Sequence, residues 1–149
     1  MKKLTQLVPD VREALQTALE EAAEAVVIDL KKAGPYWSGQ FESLWQVNAG
    51  KTAVPADIPT LPPTPPFALP RTVTDGFDIP ESPNLEGYTI GNRARYRLYA
   101  MDVLPTPRGR QQGEAPNKTA EKYWYDTYRN SKLRNTVDRT LVNVFRRYK

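Results

Sequence analysis

Nine of the 33 residues from Lys51 to Pro83 are proline, at positions 55, 59, 62, 63, 65, 66, 70, 80 and 83. Proline removes a backbone donor and fixes φ, so neither a helix nor a central strand persists across such a stretch. Leu61-Pro-Pro-Thr-Pro-Pro-Phe67 reads as polyproline-like and extended. Loops longer than about 12–15 residues are uncommon in compact domains and are usually functional or disordered. This one carries Ile58, Leu61, Phe67, Leu69, Val73, Phe77 and Ile79, apolar side chains for which a solvent linker has no use. At 149 residues the chain has the length of one domain. Residues 51–83 are read as an arm inserted in that domain, packing along a surface of its own or of a neighbour.

Before the arm, residues 9–32 read as a helix. Val11, Ala14, Leu15, Ala18, Leu19, Ala22, Ala25, Val26 and Leu30 follow the 3.6-residue period. Pro9 suits a first turn, Asp10 and Glu13 suit its positive end, and Lys31 and Lys32 its negative end. Gly34-Pro35 stops it. Val27 and Ile28 point off the main stripe while Asp29 falls on it. A helix apolar on more than one side is buried on more than one side, against its own chain or another subunit. A buried Asp29 calls for a basic partner, an arginine first of all.

Residues 35–47 hold four aromatics, read as core. Ser38 is placed to cap a short helical turn carrying Phe41, Leu44 and Trp45, and Val47 to open a strand. Past the arm, residues 87–104 read as the centre of a sheet. Tyr88-Thr-Ile90 is a strand, Gly91-Asn92 a turn signal, and Arg93 to Leu98 alternates basic and less polar residues. Tyr99 to Met101 is open to the alternative of a helical turn. Residues 105–118 form a second loop. From about Thr119 the chain is helical again. Leu133, Val137, Leu141, Val144, Phe145 and Tyr148 lie on one arc, with Arg129, Lys132, Arg139, Arg146 and Arg147 opposite.

Several functions are removed by composition. The chain has no cysteine and no histidine, which excludes thiol nucleophiles, imidazole bases, disulfides and the usual zinc sites. No phosphate-binding glycine loop or G-x-S-x-G is present. Glu20, Glu21 and Glu24 share a helix, and read as a solvated acidic face sooner than a metal site. No catalytic, metal or cofactor residue is assigned. No apolar run is long enough to span a membrane, and Met-Lys-Lys precedes no signal-type apolar region, so synthesis in the cytoplasm is expected. Charge is uneven: residues 105–149 hold 11 basic and 4 acidic side chains. That excess fits nucleic acid, an acidic protein surface or a solvated helix face.

The order of features resembles the tail-completion, or head–tail joining, family of tailed bacteriophages. After a long first helix, Pro35, Ser38, Gly39 and Ser43 are similar to the family's first motif, and Gly91, Asn92, Ala94 and Tyr96 to its second, with Asp102 standing for a following acid. The resemblance implies an α+β fold. A long N-terminal helix and a C-terminal helix would pack on a small antiparallel sheet, with the proline-rich stretch as an extended insertion. It implies a structural virion protein of the neck, a homo-hexameric ring (a dodecamer is the alternative) between a head-side connector and tail terminator, tube or sheath proteins. Candidate contacts between copies are then Val27, Ile28 and Asp29 with Leu61, Phe67, Leu69 and Phe77. Arg108, Arg110, Arg139, Arg146 and Arg147 are candidates for facing passing DNA or an acidic ring. The competing reading is a basic nucleic-acid-binding protein that uses its C-terminal helix.

Overall fold

The computed structural model describes residues 9–34, 40–59, 78–101, 120 and 123–148. Its frame is an antiparallel helix pair laid on two strands. Helix α1 (Pro9–Ala33) is followed by the single turn α2 (Gln40–Ser43) and strand β1 (Trp45–Ala49). A 3₁₀ turn at Pro83–Leu85 leads into β2 (Tyr88–Asn92), then α3 (Arg97–Ala100). The chain closes with α4 (Trp124–Thr127), a π-helical turn at Tyr128–Lys132, and α5 (Leu133–Arg147). The fold is α+β, as the sequence led us to expect.

Helix α1 runs almost as its apolar period dictates. Ala14, Ala18, Ala22, Ala23, Val26, Val27 and Leu30 are buried. The small residues of its N-terminal half allow close approach, and α5 lies antiparallel along it. The polar marks of that pairing are Arg147 on Glu21, and Thr17 within 3.3 Å of the Tyr148 hydroxyl. At the other end Tyr128 and Thr136 both reach Asp29.

Among the described residues the sheet has two strands, paired from Trp45↔Asn92 to Ala49↔Tyr88. Two strands alone are marginal in water, so packing must supply the stability. Trp45 and Val47 are buried, and the core gathers them with Val26, Val27 and Leu30 of α1, Phe41, Met101, Trp124 and Tyr128. The Phe41 ring meets Trp45 edge-on at 5.7 Å and Trp124 at 6.5 Å, an arrangement that adds about 0.5–1.5 kcal/mol per pair beyond area burial.

Several expectations are corrected. Gly91-Asn92 is not a turn but the end of β2. A side chain at Gly91 would sit 2.7 Å from the Val54 Cβ, so glycine is there for close approach, not for a left-handed turn. Residues 93–98 do not continue as a strand. The Asn92 side chain accepts from the Ala94 N–H and turns the chain out of the ladder, leaving one parallel bridge between Ala94 and Ile58 before α3 begins. Trp45 belongs to β1 and not to the helical turn. The last helix starts at Trp124, after Tyr123 with φ of 58°. It also contains a π turn that spacing alone did not signal.

Both ends of the proline-rich stretch lie on the body. Val54 is buried against Gly91. The Ile58 N–H donates to the Arg93 carbonyl and its own carbonyl accepts from Arg95, each at 2.9 Å. Ile79 packs on the core, and Ser82 donates to the Gly87 carbonyl. The middle, residues 60–77, lies outside the described residues, and with it Leu61, Phe67, Leu69 and Phe77.

Candidate assembly surface

The second family-like motif forms a single corner. Gly91 admits Val54; Asn92 is fully buried and joins two segments. Its Nδ2 donates to the Phe41 carbonyl at 2.8 Å, and its Oδ1 accepts from Ala94 N at 2.9 Å. Ala94, also fully buried, carries the bridge to Ile58, and the Tyr96 ring lies 5.9 Å from Phe41. These four residues brace the strand end against the N-terminal turn. Of the first motif, Ser43 ends α2 with its side chain exposed; Pro35, Ser38 and Gly39 lie outside the described residues, as do Arg108 and Arg110.

Val27 is wholly enclosed within its own chain, which corrects its assignment to a contact between copies: no surface is left for a neighbour. Ile28 and Asp29 are half-buried. Asp29 meets hydroxyls where a base was expected. Thr136 Oγ1 donates to its Oδ2 at 2.7 Å and the Tyr128 hydroxyl at 3.1 Å. Two O–H donors satisfy a half-exposed carboxylate, so no counter-charge is required. The π turn carries Tyr128, and α5 brings Thr136 to the same oxygen. Arg139 lines the same cleft, about 690 Å³, together with Lys32 and Lys132, but no ion pair joins it to Asp29.

This node gives the fold an alkaline limit. Burial, then the Asp29 charge, raises the Tyr128 phenol above its usual value of 10.0. Burial also pushes Tyr96 up to about 12. A phenol whose folded pKa exceeds its unfolded one stabilises the fold while protonated. The contribution is complete below the unfolded value and is lost as pH climbs through the folded one. Stability should therefore fall above about pH 10, and Tyr128→Phe, which has no proton to lose, should flatten that decline. Urea midpoints for both proteins, taken at neutral and alkaline pH, check this.

A surplus apolar surface does exist, on a different helix from the one expected. Val142, Phe145 and Tyr148 of the C-terminal helix are 49%, 38% and 44% exposed. Phe145 and Tyr148 lie on the apolar arc read from the sequence, but the residues that α5 buries are Thr136 and Val144. The available signal was the extra apolar residue at Val142, three before Phe145, which widens the stripe beyond one contact face. Arg139, Arg146 and Arg147 are exposed beside it, with Arg147 held by Glu21.

A second surface feature is an apolar groove of about 330 Å³ between α1, β2 and the C-terminal helix. Sequence reading did not find it, because its walls come from three separated segments. Among the described residues, no group of three or more His, Cys, Asp or Glu is placed to hold a metal ion. No helix among them is long and apolar enough to cross a membrane.

Among curated proteins and among solved structures, nothing matches the chain. Residues 1–58 match the model of the HK97-gp10-like family, described as "Bacteriophage HK97-gp10, putative tail-component". The matched span takes in α1, α2, β1 and the Ile58 bridge. The long first helix, the aromatic turn and the strand that together build this core are thus similar to a bacteriophage tail component.

Proposed function

We propose that the protein is a ring-forming structural component of a phage neck, a homo-oligomer that joins head and tail around the DNA channel. The observation that carries this reading is the family match over residues 1–58. The exposed Val142, Phe145 and Tyr148 support it, since apolar residues grouped on an otherwise charged helix mark contact surfaces. The arm, with Leu61, Phe67, Leu69 and Phe77, is a second contact between copies, and an extended proline-rich segment loses little entropy on docking. A hexamer is the expected ring and a dodecamer its alternative, set between a head-side connector and tail terminator or tube proteins. Ile28 and Asp29 stay with the candidates for subunit contact, at the edge of the α1–α5 seam. Arg139 and Arg146, with Arg108 and Arg110, are candidates for the channel wall or for an acidic ring. The role is structural, with no catalysis assigned.

Electron microscopy of virions carrying a labelled chain tests the proposal. A closed ring at the head–tail junction is the expected image; label along the tube or on the capsid shell overturns it. Exposed cations at Arg129, Lys132, Arg139 and Arg146 favour a second reading, direct nucleic-acid binding. That reading requires an isolated single chain to bind DNA with an affinity that falls steeply with salt, by a slope of about 0.9 per phosphate neutralised.

A further inference from the structure

We propose that the groove between α1, the outer edge of β2 and the C-terminal helix is a slot for the proline-rich segment Leu61–Pro70 of a neighbouring copy. The inference rests on the reading that copies of this chain stand side by side.

The slot has a definite chemistry. Its floor is Val26 of α1 and Ile90 of β2; its walls are Leu133 and Val137 of α5; the rings of Tyr88, Tyr125 and Tyr128 stand around it. A second hollow of about 380 Å³ shares Ile90, Tyr125 and Arg129 with it, so the two run on along the outside of β2. Backbone parity adds a second observation. The bonds Gly50 N–H to Gly87 O (2.8 Å) and Arg93 N–H to Leu44 O (3.0 Å) bracket the ladder. In an antiparallel pair, bonded and non-bonded partners alternate. Tyr88, Ile90 and Asn92 therefore turn their N–H and C=O away from β1. The Asn92 carbonyl is taken by the Arg97 guanidinium at 3.1 Å. Ile90, midway along the slot, has no partner for that outward pair among the described residues.

The occupant follows from what such a slot selects. Aromatic-lined grooves bind polyproline segments, whose backbone is pre-extended and rich in free carbonyls. Residues 61–70 contain five prolines, with Leu61, Phe67 and Leu69 between and beside them and no charged side chain. Such a segment brings acceptors and few donors. The slot offers donors in the Ile90 N–H and the Arg129 guanidinium, and apolar walls for the leucines and the phenylalanine. An amphipathic helix would leave the Ile90 edge unpaired.

Reach points to a neighbour. The segment 60–77 departs beside Ile58, pinned on Ala94, and returns at Ile79, packed on the core. Eighteen residues at the polyproline rise of about 3.1 Å each, counted out and back, have a reach of about 28 Å. Against a radius of gyration of about 15 Å for a domain of this length, that reach is long enough to meet an adjoining copy.

The absence of cysteine in the chain lets introduced cysteines report alone. Full-length Ala68→Cys and full-length Asp126→Cys, the latter on the rim of the second hollow, are tagged differently, co-expressed and oxidised mildly. A mixed disulfide dimer is expected, and its loss when Tyr125→Ala is added to the Asp126→Cys chain. Far-ultraviolet circular dichroism confirms that each variant is folded. A third chain carries both cysteines: a disulfide that closes only within this chain overturns the inference, and so does no disulfide at all, with Thr64→Cys as the second arm position. Particle size on the same samples separates the two readings. An assembled ring without the mixed dimer defeats the slot and leaves the ring standing. A chain that stays single defeats both.

Discussion

Asn92→Ala is expected to cost about 2–3 kcal/mol of folding stability, as the buried Ala94 N–H is left without a partner at about 1–3 kcal/mol and the Phe41 carbonyl loses one of its two donors. Asn92 is fully buried. Its Oδ1 is the described partner of the Ala94 N–H at 2.9 Å, and its Nδ2 shares the Phe41 carbonyl, at 2.8 Å, with the Leu44 N–H at 3.2 Å. Neither group can turn to water without moving α2 or the Ile58–Ala94 bridge. Asn92→Leu separates polarity from volume. It refills the space and restores neither bond, so it should lose at least as much as the alanine variant. A loss below about 1 kcal/mol in both would mean that the orphaned groups find new partners. Urea unfolding of the three proteins, with unchanged slopes, gives the comparison.

That corner also shows where sequence reading succeeds and where it stops. Helix α1 was legible because its signals are local: Pro9 at the first turn, apolar residues at three- and four-residue steps, Lys31 and Lys32 at the end, Gly34 after it. The aromatic cluster was legible because Phe41 and Trp45 have few alternatives to burial. Gly91-Asn92 misled because the dipeptide that favours a turn is here decided by tertiary contact. Gly91 is required by Val54, which lies far off in sequence, and Asn92 by Phe41. The arginine expected at Asp29 misled for the same reason. Counting charges does not foresee that a π turn will carry Tyr128, and the next turn Thr136, onto one carboxylate oxygen. The groove beside β2 was beyond reach altogether, since α1, β2 and α5 become neighbours only in the fold. The motif residues Gly91, Asn92, Ala94 and Tyr96 are legible as a pattern because packing constrains them. They brace the fold, and the exposed apolar surface lies elsewhere, on Val142, Phe145 and the groove walls.

The largest single loss is expected from Trp124→Ala, about 3–5 kcal/mol for emptying a buried aromatic site, out of a total of about 5–15 kcal/mol for a domain. Trp124 lies outside the matched residues 1–58 yet packs the start of the C-terminal helix against them. It is 4% exposed and meets Phe41 edge-on. Its Nε1 donates to the Ala100 carbonyl at 2.9 Å. It also fills the space left by Gly34, where a Cβ would come within 3.0 Å of its ring. Removing it opens the junction of α1, α3 and α4 together and strands the Ala100 carbonyl. Trp124→Phe keeps most of the packing and loses the N–H, so it should cost about 1–2 kcal/mol from the bond and a little more from the smaller ring. The order wild type, phenylalanine, alanine is the prediction, read from urea unfolding followed by circular dichroism. Equal losses for both variants would place the stabilisation in the hydrogen bond; no loss for alanine would mean that the C-terminal helix is held by its contacts with α1 alone.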